Sequence, residues 1–355
     1  MTTRRFVPDS LRDQIVRILI QWGMAAPIAD TTATVMVDAD LSGIDSHGVS
    51  MLLMYETLLN EGRLNANAVP AIAEEGPAFG VVDGDHGLGH ATAVYAVELA
   101  IAKAAYAGIG AVAVRNSRHF GAAGYYARLA SERGCIALIT TSTRIPVTFA
   151  AGGTSPVLGT NPIAFAAPRA DGEPLVVDIS TSVVAMNKVK AYALKGDVLP
   201  VGWVYDRTGR PVTDSAAAYA MLTSQEATLS PLGGAALETG AHKGFGLSLM
   251  VQILSTALSN AATPLDTRDR DNIGHFFLVI DTAMVNSSGS VAGIVEDTLT
   301  AMQRDEQEVR IPGDPEREAR SERGRRGIPL PDTLIRQVAD IAARSGAPFV
   351  LTESS

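Results

Sequence analysis

Cysteine is nearly absent from this 355-residue chain, with Cys135 standing alone, so no intrachain disulfide can form and cohesion must come from packed cores. Set in the apolar run Gly134-Cys135-Ile136-Ala137-Leu138-Ile139, that thiol reads as part of a buried strand. Positive charge is also scarce: Lys and Arg number 29 against 38 Asp and Glu, leaving a net charge of -9. A surface so poor in cations excludes nucleic acid as a partner, because phosphate backbones are bound by basic patches. Long apolar runs are missing as well. No uncharged stretch approaches the roughly 18 residues of a membrane span, and Arg4-Arg5 lack the apolar segment that follows the basic start of a secretory signal. The expectation is a cytoplasmic chain with no membrane partner. His47, His86, His90, His119, His242 and His275 include no His-x-x-x-His pair and have no cysteine cluster to join, so no metal is expected.

What the chain does have is apolar content, 46% of residues, enough for two or three domains with substantial cores. Residues 8–60 read as helical. Leu11, Ile15, Ile18, Leu19 and Trp22 recur at three- and four-residue spacing, Asp9 or Ser10 can cap the first helix, and Gly23 ends it. A second helix is expected from near Asp30 to Gly43, leaving Ser46-His47 on a loop. Beyond Pro77 the texture becomes α/β. Strand-like runs at 80–83, 111–114, 135–141, 163–166 and 175–178 alternate with helical stretches such as the alanine-rich 91–107, and one sheet is expected to collect the strands. A helical pattern from 187 to about 260 is broken at Asp206-Arg207-Thr208-Gly209-Arg210-Pro211 and at Pro231-Leu232-Gly233-Gly234, fitting a small insertion. His275 to Asp281 reads as another strand and 291–302 as a helix. The mixed charge between Arg304 and Arg326 reads as a solvated surface segment, followed by an amphipathic helix at 330–344.

Few groups point to chemistry. Gly108-Ile109-Gly110-Ala111-Val112-Ala113 matches a loosened G-x-G-x-x-A dinucleotide pattern, but that pattern must follow a strand and open a helix. Here a helix precedes it, so it reads as a helix stop, and any dinucleotide must be held by a different fold. His119 follows the 111–114 strand in Arg118-His119-Phe120-Gly121-Ala122-Ala123, where small residues let a ligand approach a helix start. A functional and a structural histidine are equally open there, and His47 beside Ser46 stands alike. Asp178-Ile179-Ser180-Thr181-Ser182 is either a capped helix start or a ligand site. His242-Lys243-Gly244 is either a cation at a helix N-terminus or a solvated lysine.

In chain order, these segments resemble those of the type 2 malate/L-lactate dehydrogenase family, NAD(P)-dependent oxidoreductases without a Rossmann fold. The likeness rests on Asp45-Ser46-His47-Gly48-Val49, Arg115 to Gly121, Gly159-Thr160-Asn161-Pro162, Asp178 with Thr181-Ser182, Pro231 to Gly234, His242-Lys243-Gly244, Asn272 to Phe277 and Pro312-Gly313. It implies an α/β fold with three parts. A helical domain spans 1–75 and is joined by 305–355, a mixed-sheet cofactor domain spans 76–190 and 260–304, and a mainly helical insertion spans 191–259. It also implies a homodimer with the active site at the subunit interface and a small-molecule substrate. The reaction would be hydride transfer between NAD or NADP and a 2-hydroxy or 2-oxo acid. The alternatives are reduction of a cyclic imine carboxylate and a catalytically inactive cofactor-binding protein.

Carried over by position, the resemblance makes His47, supported by Ser46, or His119 the proton donor and acceptor, consistent with an imidazole's near-neutral pKa. Tyr55 and Thr160 would line the substrate pocket. Phe120, Gly121, Ala122, Ala123, Asp178, Ile179, Ser180, His242, Lys243, Gly244, Gly313 and Asp314 would contact cofactor. One departure stands out, because Met51 occupies the place where the family carries an arginine that can pair with a substrate carboxylate. Arg144, in Thr141-Ser142-Thr143-Arg144-Ile145-Pro146, is the candidate replacement cation. The family's Arg-Gly before Lys188 is likewise missing from Ala185-Met186-Asn187, so a remodelled pocket is expected.

Overall fold

A computed structural model describes residues 3–266, 271–304 and 309–354. The N-terminal helices Pro8–Gln21, Ala26–Leu41 and Leu52–Asn60 pack with the C-terminal helix Asp332–Ser345 around a core that includes Leu11, Ile15, Ile18, Leu19 and Ile341. The strand Thr3–Phe6 pairs antiparallel with Ile328–Pro331, tying the two ends of the chain into one unit. The first helix starts at Pro8 rather than being capped by Asp9 or Ser10, because proline's fixed φ suits a first turn that needs no N–H. Ser10 instead donates its hydroxyl back to the Val7 carbonyl at 2.8 Å. The second helix begins at Ala26, earlier than expected, again with proline in its first turn.

Seven strands form the main sheet, in the spatial order Ala71–Glu75, Phe79–Asp83, Ile109–Ser117, Ile273–Asp281, Cys135–Thr141, Ile163–Ala167 and Leu175–Ile179. Phe79–Asp83 and Ile109–Ser117 run parallel, and the other neighbouring pairs are antiparallel. A mixed sheet of this kind is not the parallel doubly wound sheet of a Rossmann domain. The helices Gly89–Ala107 and Gly124–Ser131 pack on it through Ala96, Val97, Ala100, Tyr126 and Ala127. Gly108, at φ +81°, ends the first of these helices. A Cβ on Gly110 would lie 2.0 Å from the Ala100 carbonyl oxygen, so the two glycines serve a tight helix-to-strand return and not a phosphate.

The 191–259 segment contains the helices Ser215–Thr223 and Ala241–Gln252, but it is less purely helical than expected. Val204–Asp206 and Ala227–Leu229 join Thr148–Phe149 and Pro156–Leu158 in a four-stranded sheet. Strands of two or three residues carry no readable alternation. The charged segment, whose residues 305–308 lie outside the described ones, sits at the surface as expected, with no buried residue in its helix, but that helix is ordered and anchored. Asp314–Arg326 is a helix whose Arg323 donates to the Asp40 carbonyl at 2.6 Å and pairs with Asp45, so one face of it is anchored to the N-terminal helices. Among the described residues no helix is long and apolar enough to cross a membrane.

Candidate active site

The Ser46-His47 turn is held from beneath by a buried acid. Asp40, in the last turn of Ala26–Leu41, accepts the Val49 N–H at 2.8 Å. Gly48 passes so close that a Cβ would lie 1.9 Å from Asp40 Oδ1. Burial raises the Asp40 carboxyl from 3.8 to about 8, with the Val49 N–H pulling the other way. Asp40 therefore binds its proton more tightly folded than unfolded, so its stabilisation is full below pH 3.8 and is lost as pH rises towards 8. Asp40→Asn, which cannot ionise, flattens this dependence. Thermal unfolding between about pH 5 and 8 should show the parent chain losing stability relative to the variant as pH rises, whereas a constant gap contradicts a protonated Asp40.

His47 hangs from this turn, its Nδ1 2.8 Å from Ser46 Oγ. Its ring stacks on His119 with centroids 5.4 Å apart and planes 28° from parallel. Burial lowers the His47 pKa to about 4 and pulls His119 well below its ordinary value, with His47, His90 and His275 adding to the shift on His119. Both imidazoles are therefore neutral near pH 7 in the free protein.

His119 lies between the strand Ile109–Ser117 and the helix Gly124–Ser131. The next residue, Phe120, is sandwiched between Tyr126, at 5.0 Å, and His275, at 4.3 Å and 5°. His275 is itself locked by Thr141 Oγ1 at 2.6 Å and Ser117 Oγ at 2.9 Å. This stack fixes where the chain turns out of the sheet, and with it the position of His119. Tyr55 OH lies 2.8 Å from His119 Nδ1.

Two cavities open on either side of this turn. One, of 280 Å³, is lined by His47, His119, Arg118, Arg144, Thr160 and Asp271 among others, with Phe120 and Gly121 on its wall. The other, of 340 Å³, includes Ala122, Asp178, Ile179, Gly313 and Asp314. Consecutive residues, Gly121 and Ala122, thus face different cavities. Two helices begin at the second cavity, Gly124–Ser131 and Asp314–Arg326, and helix N-termini favour anions such as phosphates. Asp178 caps the first of them, accepting the Gly124 N–H at 2.7 Å. It is a cap, but for a helix distant in sequence and not for one opened by its own segment. Desolvation of the carboxyl raises its pKa to about 6, against the pull of that N–H, although the residue as a whole is exposed.

The remaining candidates lie elsewhere. Met51 packs against the N-terminal core, and Tyr55 is fully buried behind His119, so neither lines a cavity; from the helix Leu52–Asn60 it is Met54 and Leu58 that face one. Ser46 backs His47, and Ala123 is the buried cap position before Gly124. Ser180 donates to the Ser182 carbonyl at 3.1 Å. His242 and Lys243 are exposed in the first turn of Ala241–Gln252, and a Cβ on Gly244 would lie 2.0 Å from the Leu232 carbonyl oxygen. None of these borders the two cavities. Sequence reading missed Arg118, Met54 and Asp271. Arg118 stands beside His119 and could have been found by that adjacency, but nothing local marks Asp271.

The sequence profile of malate/L-lactate dehydrogenases matches residues 6–339. The chain belongs to this family. The malate dehydrogenase of Pyrococcus horikoshii is 36% identical over 351 residues, 96% of each chain. The (2R)-3-sulfolactate dehydrogenase (NADP(+)) of Chromohalobacter salexigens is 33% identical over 315 residues, covering 86% of this chain and 89% of its own. The crystal structure of the delta1-piperideine-2-carboxylate reductase from Pseudomonas syringae superposes with a TM-score of 0.85 at 30% identity, covering 96% of this chain and all of that one. As a member of the malate/L-lactate dehydrogenase family, the protein is an NAD(P)-dependent oxidoreductase of the hydroxy acid dehydrogenase and reductase type, acting on CH–OH or C=N groups. The residues present fit such a cofactor. Two helix N-termini meet at the larger cavity, and the peptide between Gly121 and Ala122 joins that cavity to the one holding the histidines.

Proposed function

We propose that the protein interconverts a small 2-oxo acid and its 2-hydroxy acid, with His119 handling the proton and Arg144 holding the carboxylate. The observation that carries this reading is that His119, His47 and Arg144 line one 280 Å³ cavity. When bound, the dinucleotide supplies or accepts the hydride. Phe120, Gly121, Ala122, Asp178, Ile179, Gly313 and Asp314 would hold it. Charge then grows on the substrate oxygen, and His119, neutral in the free protein and taking up a proton as substrate and cofactor bind, lowers the barrier by giving that oxygen its Nε2 proton. His119 is preferred over His47 because it adjoins Phe120 and Gly121, in the segment that lies between the two cavities and would hold the cofactor. His47 stacks against it.

Arg144 supplies the cation that Met51 cannot, from a different place in the fold. Asp271 steers it through an ion pair of 3.6 Å while chelating Arg63 with two hydrogen bonds of 2.7 Å. A guanidinium on the wall of a cavity is suited to a carboxylate, which it grips with two parallel N–H donors. Met54, Leu58, Ile145 and Met186 give the same cavity an apolar side, and that observation favours a cyclic imine carboxylate as the second reading. Apolar side chains exposed on and after the helix Ala241–Gln252, namely Leu247, Leu249, Met250, Ile253 and Leu258, support a homodimer with the site at its interface.

The test follows absorbance of NADH and NADPH with purified protein and a panel of 2-oxo acids, cyclic imine carboxylates and uncharged ketones. Turnover confined to carboxylated substrates is expected. Turnover confined to imines would select the second reading, and the absence of both turnover and cofactor binding would leave a catalytically inactive binding protein.

A further inference from the structure

His90 has no part in the scheme so far, yet it lies completely buried two residues into the 89–107 helix. Its Nε2 is 3.4 Å from Tyr55 OH, the same hydroxyl that meets His119 Nδ1 at 2.8 Å. Ring nitrogens and hydroxyls can each donate or accept, but one neighbour removes the ambiguity. The backbone N–H of Gly121 points at His119 Nδ1 from 3.4 Å, and a backbone amide can only donate.

His119 Nδ1 is therefore the bare, accepting nitrogen, and Tyr55, with a single hydroxyl proton, donates it there. The Tyr55 oxygen can then only accept from His90, so His90 carries its proton on Nε2. That leaves His90 Nδ1 bare, and it is the ring atom buried with no hydrogen-bond partner in this structure. An unmatched buried acceptor is tolerated more readily than an unmatched buried N–H. Three features hold His90 neutral: burial, which lowers its pKa to about 3, His47 nearby, and the positive end of its own helix. A charged ring would still donate from Nε2 but would leave a second N–H, on Nδ1, buried with no acceptor. Gly121 presses on it closely, since a Cβ there would lie 3.2 Å from His90 Nε2.

We propose that His90 is a positioning residue that acts through Tyr55 to hold His119 in the tautomer presenting Nε2–H to the 280 Å³ cavity. Nε2 is the nitrogen of His119 turned away from Tyr55 and Gly121, and in this form it meets a carbonyl oxygen as a hydrogen-bond donor. The role rests on the reading of His119 as the proton-handling residue.

The experiment combines nitrogen-15 NMR of the histidine rings in the cofactor-free protein with steady-state reduction kinetics for His90→Leu, His90→Gln, Tyr55→Phe and the Leu/Phe double variant. His90→Leu should turn the His119 signals from one tautomer into a mixture and lower kcat about tenfold, the equivalent of one hydrogen bond, with the KM for cofactor unchanged. His90→Gln, whose amide N–H can still donate to Tyr55, should recover most of both. With Tyr55→Phe in place, His90→Leu should add nothing, because its route to His119 is already cut. An unchanged His119 tautomer in His90→Leu, or losses that multiply in the double variant, would overturn the role. If the parent protein reduced no substrate, the proposed function would fail, while the NMR comparison would still decide what His90 does.

Discussion

Replacing His119 with alanine lowers kcat by about 1,000-fold, within the range attributed to a general acid–base group, and leaves cofactor affinity nearly unchanged. The expectation follows from where His119 stands. It borders the cavity that holds Arg144 and Thr160, while its neighbours Phe120 and Gly121 lead directly to the 340 Å³ cavity. Hydride arriving at a carbonyl carbon without a proton donor leaves an alkoxide, a charge that is costly to form beside apolar walls such as Met54 and Leu58. His47→Ala should cost less, about tenfold, since His47 supports His119 through a stacked contact at 5.4 Å. Single-turnover kinetics with both variants distinguish the roles. A larger loss for His47→Ala than for His119→Ala would reverse the assignment.

Replacing Arg144 with leucine lowers kcat/KM for 2-oxo acids by about 100-fold, close to 3 kcal/mol for a partly enclosed charge pair. The loss should fall mainly on KM, because the carboxylate is bound in both ground state and transition state. An uncharged ketone of the same size should be affected by less than about threefold. Arg144→Lys keeps the charge but not the planar fork, so its loss should be intermediate. Equal losses for charged and uncharged substrates would show that Arg144 shapes the cavity without reading the carboxylate. Asp271 makes the prediction sharper, since it holds Arg144 at 3.6 Å while its shorter contacts go to Arg63.

Much of the fold could be read from periodicity. Leu11, Ile15, Ile18 and Leu19 fall on one helical face and are fully buried, and the strand from Cys135 to Thr141 has the bounds that its apolar run implies. Strands of three or four residues, too short for alternation to show, escaped, as with Val204–Asp206, Ala227–Leu229 and Thr3–Phe6, whose pairing depends on partners far along the chain. The site divides in the same way. His47 and His119 could be singled out because each sits where a regular element gives way to a loop. Their meeting through a stacked contact and a shared cavity is long-range and invisible to spacing.

Met51 shows the limit most clearly. Its place in the motif pointed to the substrate, but its thioether packs with the N-terminal core. Three residues later Met54 faces the cavity, because a helix brings a different side chain to a given face with each fraction of a turn. Arg144 comes from a loop beyond the strand Cys135–Thr141, and only the folded chain brings it to the histidines. Asp178 was legible as a cap, but the helix it caps begins at Gly124, more than fifty residues away.

The central claim is that hydride passes between the nicotinamide and the carbon beside a carboxylate. Cofactor deuterated at the transferable C4 position, incubated with protein and the preferred 2-oxo acid, should yield a 2-hydroxy acid carrying one deuterium on C2 by mass spectrometry, with none released to water. Product without deuterium on C2, or deuterium appearing in the solvent, would contradict it.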